Sequence, residues 1–353
     1  MGYTAGLCVY FLWGLVMPER LAQLSDWVRQ CLSGESIRLE VASGDASFRR
    51  YFRVFAKNGT LIAVDAPPSQ EDSRLFIHVS RAFHAQGVQV PEVVEHDLDQ
   101  GFMLLTDLGS RLYLDELDQS SADRLYADAF AALKKIQAID LRQATLPAYD
   151  SQLLYQELQL FMDWYLGNHL CLELDDEEKQ GMEGICDFLV HSALEQPQVC
   201  VHRDYHSRNL MLTKKNNPGV LDFQDAVIGP VTYDAVSLLR DCYIDWPQER
   251  VEQWADCCFE NACDLGLLGV GDRGSYHRWF DLMGAQRQMK AIGIFSRLNY
   301  RDRKPGYLSD IPRTLGYLIS VSENYNEMVF LRDFIRDRVI PQIEKRKPEI
   351  VAR

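Results

Sequence analysis

The densest chemistry in the chain lies between residues 199 and 225, VCVHRDYHSRNLMLTKKNNPGVLDFQD. An apolar run ends in His202, Arg203 and Asp204; Asn209 follows five residues after Asp204, and Asp222 thirteen after Asn209. Each of these alone is an ordinary turn-former or strand cap. Together they supply what phosphoryl transfer needs, which is positioning and charge neutralisation more than covalent chemistry. A carboxylate at Asp204 can accept the proton of an attacking hydroxyl. Asn209 and Asp222 offer the hard oxygen donors that magnesium takes against nucleotide phosphates. The spacing therefore points to an enzyme that uses ATP and Mg2+.

Elements must carry this set, and the chain is long enough for two folding units at 353 residues. Residues 37 to 66 alternate as strands, with a hairpin signal at Lys57-Asn58-Gly59, and Pro67-Pro68 ends the third strand. Residues 70 to 86 follow a helical period through Leu75, Phe76, Val79 and Phe83, and further strands are predicted near 93–94 and 101–105. Beyond residue 114 the pattern turns to helices, predicted at 121–139, 150–170, 176–193, 233–243, 248–266, 274–298, 310–322 and 325–343. Two short strand-like pieces, 211–213 and 219–223, interrupt them. We expect the units 17–107 and 108–353, with the turn chemistry of TDLGS at their boundary.

Charge and composition exclude other classes. A formal net charge of −14 opposes non-specific nucleic-acid binding, which needs clustered Lys and Arg. The nine cysteines form no C-x-x-C pair, which argues against a zinc or redox motif and suits the cytoplasm. The first eighteen residues are uncharged, yet the apolar run from Ala5 to Met17 is short for a membrane span and lacks a basic start. We expect 1–16 to be an apolar leader outside the fold, with Met17 as the working start and no membrane attachment. Glu19 then opens a helical pattern through Leu21, Leu24, Trp27, Val28 and Cys31.

The residues His202, Asp204, His206 and Asn209, followed by Leu221-Asp222-Phe223, resemble the His-x-Asp-x-His-x-x-Asn and hydrophobic-Asp-Phe pattern of aminoglycoside phosphotransferase-like enzymes. GDASFRRYF, VDAPP, LLTDLG, FMDWYL, QRQMKAIGIFSRLNYRD and GYLSDIPR are similar to segments of the anomeric sugar kinases that act on N-acetylmuramate and N-acetylglucosamine in peptidoglycan recycling. The resemblance, over about residues 20 to 345, implies an α+β, two-lobed protein-kinase-like fold. Its N-lobe would be a small antiparallel sheet with one inserted helix, and its larger C-lobe mainly α-helical. It implies Asp204 as catalytic base, Asn209 and Asp222 as metal ligands, and His202 and Asp234 in structural roles. Ser43, Gly44, Asp45, Ala46, Ser47, Phe48 and Arg49 would cover the nucleotide phosphates, and Leu105, Thr106, Asp107 and Leu108 would form the adenine-facing hinge. The partner it implies is a small amino sugar, bound by a monomer.

One departure bears on activity. The third strand of kinases presents a phosphate-gripping lysine, whereas this chain reads IAVDAPP, and no lysine occurs between Lys57 and Lys134. Arg49, Arg50 or Arg53 could replace its charge, or magnesium and backbone could grip the phosphates alone. At the acceptor end, His206, Arg287, Lys290 and Arg297 are the candidate substrate residues. Lys290 and Arg297 lie two turns apart on one helix face, where cations can meet a lactyl carboxylate. An aminoglycoside, choline or homoserine acceptor on the same fold stays open, as does a pseudokinase without turnover.

Overall fold

The computed structural model describes residues 19–43 and 49–351; the expected leader 1–16 and Gly44 to Phe48 of the expected phosphate loop lie outside the described residues. The chain divides into two compact units, the first ending at Ser110 and the second beginning at Arg111.

In the first unit, helix α1 (19–31) turns Leu24 and Val28 inward, both fully buried against Phe52, Val54, Ala63, Phe102 and Leu104. Those partners come from an antiparallel sheet of five strands: β1 (Arg38–Ser43), β2 (Arg50–Ala56), β3 (Gly59–Asp65), β4 (Val93–Asp97) and β5 (Phe102–Thr106). The order is β1-β2-β3-β5-β4. The hairpin at 57–58 pairs Ala56 with Gly59, whose φ of 135° is free to glycine alone. Helix α2 (Ser73–Ala85) is capped by Asp72, which accepts from the Arg74 N–H at 2.9 Å. Gly101 sits at φ 73°, where a Cβ would fall 2.0 Å from the Ala66 carbonyl oxygen.

The second unit is mainly helical. Its helices are α3 (Tyr113–Glu116), α4 (Ala122–Gln137), α5 (Leu141–Ala144), α6 (Ser151–Leu160), α7 (Asp176–Leu194), α8 (Tyr233–Leu239), α9 (Gln248–Asp264), α10 (Arg273–Tyr300), α11 (Ile311–Asn324), α12 (Val329–Phe334) and α13 (Ile340–Val351). Two short ribbons complete it: β6 (Gln198–Val201) with β9 (Val227–Pro230), and β7 (Leu210–Met211) with β8 (Gly219–Val220). Helix α10 is buried along most of its 28 residues, polar positions included, and it packs on α6, α7, α8 and α11. A helix covered all round is a core element rather than a surface one.

Three expected elements differ in detail. Residues 161–169 of the predicted helix 150–170 are π-helical, beginning where Gly293 of α10 lies against the Leu160–Phe161 backbone. The predicted helix 325–343 breaks into a 3-10 turn, α12, a π turn at Ile335–Val339 and α13. The predicted helix 233–243 stops at Leu239, and the Asp241 carboxylate beyond it accepts from the N–H groups of Ser207 and Tyr243. Strand β9, VIGP, was not anticipated: its Gly and Pro read as turn residues, and it forms only against β6.

Candidate active site

The loop after β6 is fixed by buried hydrogen bonds. Val199, Cys200 and Val201 bury the strand, which leaves His202 fully buried at its end. Asp234, in the first turn of α8, accepts from the backbone N–H of His202 at 2.7 Å and of Arg203 at 3.0 Å. Burial pushes the Asp234 carboxyl up to about 7, against the pull of those two bonds. The His202 ring spans the two loops: Nδ1 accepts from the Asp204 N–H at 3.2 Å, so Nε2 carries the proton and donates to the Leu221 carbonyl at 2.9 Å. Burial pulls this imidazole down to about 4, which keeps it neutral in that role.

Asp204, Asn209 and Asp222 come together. Asn209 Nδ2 donates to the Asp204 backbone carbonyl at 3.0 Å and lies 3.5 Å from Asp222 Oδ2. The Leu221 N–H returns to the Asn209 carbonyl at 2.9 Å, locking the second loop to the first. Asp222 holds a left-handed backbone, φ 61°, and its Oδ1 accepts from Gln224 Nε2 at 2.6 Å. Gln224 Oε1 is buried with no hydrogen-bond partner. With the Asn209 amide nitrogen engaged, its oxygen, the Asp222 carboxylate and Gln224 Oε1 make an all-oxygen donor set. Such a set fits Mg2+ and not a soft metal.

Helix α10 brings cations to Asp204. Burial alone would raise the Asp204 carboxyl, but Lys290, His206, Arg287 and His202 outweigh it and hold the group below the usual aspartate value. Lys290 donates to Tyr233 Oη at 2.9 Å and lies 3.0 Å from Glu157 Oε1. Burial opposes its charge, yet Glu157 and Tyr233 keep its pKa above the ordinary lysine value. Arg287 lies 5.4 Å from the Tyr233 ring centroid. Arg297, the third expected cation of this helix, is not among the largest influences on Asp204; Arg301 and Asp302 are its charged neighbours. Ten residues of α-helix rise about 15 Å, so Arg287 and Arg297 sit far apart along α10.

Glu157 was missed by sequence reasoning. It is 5% exposed, pairs with Arg203 and Lys290, and accepts from Tyr149 Oη and, at 3.2 Å, from Gln286 Nε2. The signal was legible: Leu154 and Leu158 mark the buried face of α6, and Glu157 falls on that face. An acid there needs buried partners.

In the first unit the candidate arginines are committed to acids. Arg20 and Arg50 both bond Asp65, the residue at the lysine position, and Asp65 is fully buried. Arg53 pairs with Asp107 at 2.7 Å, and Arg49, 6% exposed, pairs with Glu71 at 3.1 Å. Of the expected hinge, Leu105 and Thr106 lie in β5, where the Thr106 N–H is taken by the Glu92 carbonyl at 3.0 Å. Asp107 Oδ1 accepts from the Gly109 N–H at 2.9 Å, and Leu108 lies between them.

Residues 38–262 match the model of the phosphotransferase enzyme family, APH. The chain is 45% identical to an N-acetylmuramate/N-acetylglucosamine kinase of Pseudomonas aeruginosa, over 90% of this chain and 96% of that protein. It is 43% identical to the kinase of the same name in Pseudomonas putida, over 91% and 98%. An ethanolamine kinase of Plasmodium vivax superposes with a TM-score of 0.59 at 12% identity, over 80% of this chain and 82% of that one. An ADP-bound aminoglycoside phosphotransferase gives 0.54 at 16%, over 85% and 98%. These two structures show the protein-kinase-like fold. The match over 38–262 and the two kinases near 45% identity show the family: this chain belongs to the phosphotransferase enzyme family.

Proposed function

We propose that this enzyme transfers the γ-phosphoryl group of ATP to the anomeric hydroxyl of N-acetylmuramate and N-acetylglucosamine, in the recycling of peptidoglycan sugars. The acceptors follow from the names of relatives that match over nearly their whole length. The observation that carries the chemistry is the Asp204 carboxylate, held ionised by Lys290 and Arg287 beside the Asn209–Asp222 pair.

Asp204 is the base. An anomeric hydroxyl is more acidic than an ordinary alcohol, so a carboxylate of depressed pKa suffices to accept its proton as the phosphoryl group arrives. His202 and Asp234 act on the backbone that carries Asp204, through the bonds described above. Asn209 and Asp222 would hold Mg2+, which supplies neutralisation of phosphate charge when bound. Arg287 and Lys290 keep positive charge next to the base, and His206 faces the acceptor. Residues 43–49 and 105–108 are proposed for the nucleotide. With Arg49, Arg50 and Arg53 bonded to Glu71, Asp65 and Asp107, the phosphate grip falls to metal and backbone. A monomer in the cytoplasm completes this reading.

The test is ADP release from ATP and Mg2+ with N-acetylmuramate, N-acetylglucosamine, kanamycin, choline or no acceptor. Turnover confined to the N-acetyl sugars, and lowered ~10²–10⁴-fold in Asp204→Ala, supports the proposal. Turnover with kanamycin or choline overturns the acceptor, and turnover unaffected by Asp204→Ala overturns the base.

A further inference from the structure

Arg208 is a cation of this unit that aromatic rings hold in place. Its guanidinium lies over the Tyr243 ring, 3.7 Å from the centroid, and 5.8 Å from that of Tyr307. It is partly exposed and, among the described residues, its side chain makes no hydrogen bond or ion pair. In a chain of net charge −14, an arginine near acids ordinarily pairs with one. Here the two nearby acids bond other groups, although Arg208 is the largest positive charge acting on Asp310. Asp241 accepts from the Ser207 N–H at 2.9 Å and the Tyr243 N–H at 3.0 Å, and Asp310 pairs with Arg313 at 3.5 Å. The planar donors therefore remain open while stacking fixes the group.

The surroundings are those of a sugar subsite. Tyr243 packs edge-on against His206, ring centroids 5.5 Å apart, and Phe295 stacks on Tyr307 at 5.7 Å. His206 lies two residues from Asp204 and feels both Asp204 and Arg208; its Nδ1 is buried without a partner. Aromatic faces beside a polar imidazole suit a pyranose, and a guanidinium with free donors suits a carboxylate, which it grips through two parallel N–H···O bonds. Of the cations first expected for that carboxylate, Lys290 is engaged, bonding Glu157 and Tyr233.

We propose that Arg208, seated on Tyr243, binds the lactyl carboxylate that distinguishes N-acetylmuramate from N-acetylglucosamine. The proposal rests on the amino-sugar reading above. It makes Arg208 a specificity determinant, since N-acetylglucosamine has no carboxylate to offer it.

The experiment is a cycle over enzyme and substrate. Wild type, Arg208→Met and Arg208→Lys are assayed with N-acetylmuramate, its methyl ester and N-acetylglucosamine, at varied ATP. Arg208→Met is expected to lower kcat/KM for the free acid ~10–100-fold more than for N-acetylglucosamine, through KM. The acid and the ester should become equivalent in that variant, with partial recovery for the acid in Arg208→Lys. Turnover of N-acetylglucosamine by the same variant shows that it is folded. An equal fall for all three acceptors, or a rise in KM for ATP alone, overturns the proposal in favour of a structural or phosphate-binding arginine. Unchanged selectivity also overturns it. If the wild type phosphorylates none of the sugars, the functional reading itself fails, and this inference with it.

Discussion

Lys290 Nζ lies 3.0 Å from Glu157 Oε1 inside the second unit, and the same carboxylate carries Arg203. One buried acid thus faces two cations, buried Lys290 on α10 and partly buried Arg203 in the loop that bears Asp204. Burial would raise the Glu157 carboxyl, but Lys290, Arg203 and Tyr149 outweigh it and hold the pKa below its ordinary 4.5. Breaking a buried pair by removing one partner leaves charge without compensation, at a cost of ~3–5 kcal/mol. Glu157→Ala is therefore expected to lose stability of that order in urea unfolding, and Glu157→Gln clearly less. Since the folded pKa lies below the unfolded one, the contribution is present above pH 4.5 and is lost as pH falls through the folded value. A Glu157→Ala variant as stable as wild type at pH 7 would show that the pair is worth nothing there.

His202 gives a second pH signature, and its sign is clear. The imidazole sits at about 4 when folded and near 6.5 when unfolded. The unfolded chain therefore binds the proton first on acidification, and stability falls between pH 6.5 and 4. For this fully buried ring the difference corresponds to about 3 kcal/mol at most. Unfolding free energies of wild type and His202→Gln across this window should converge as pH drops. A constant difference would mean that His202 does not change its protonation on unfolding.

Much of the site was legible because phosphoryl transfer fixes residue types at fixed offsets: Asp204, Asn209 and Asp222 announce themselves in one 27-residue run. The five-stranded sheet followed from two-residue alternation and a hairpin signal, and the long helices from their period. Glu157, Tyr233 and Arg208 were not read, because their meaning lies in contacts between α6, α8, α10 and a loop far apart in sequence. Arg287 and Lys290 were named from charge alone, and their burial against Tyr233 is a tertiary fact. Strand β9 was invisible for the same reason: VIGP forms a strand only when β6 is beside it.

Asp222 tests the metal assignment separately from the fold. Its φ of 61° is one that asparagine tolerates, so Asp222→Asn should keep the turn. The substitution removes the ligand charge, and ATP turnover with N-acetylglucosamine is expected to fall at least ~10²-fold, with a raised magnesium requirement. Thermal unfolding without ligands should stay within a few degrees of wild type. Undiminished turnover at low magnesium would remove Asp222 from the metal site.

Gly293 and Gly184 are both helical glycines, and the structure assigns them opposite fates. A Cβ at Gly293 would fall 2.4 Å from the Leu160 carbonyl carbon and 2.6 Å from the Phe161 nitrogen, backbone atoms that cannot swing aside. Gly293→Ala must move α10 away from α6, and α10 carries Lys290 within one turn. Overpacking of this kind costs ~1–3 kcal/mol, so both melting temperature and kcat should fall. Gly184 is exposed in the middle of α7, and a Cβ there meets nothing within 4 Å. Gly184→Ala should gain about 0.5–1 kcal/mol from lower unfolded-state entropy, with turnover unchanged. A Gly293→Ala enzyme that melts and turns over like wild type would mean that α10 is not held against α6 as described. The two substitutions are chemically identical, so the difference between them isolates that contact from helix propensity.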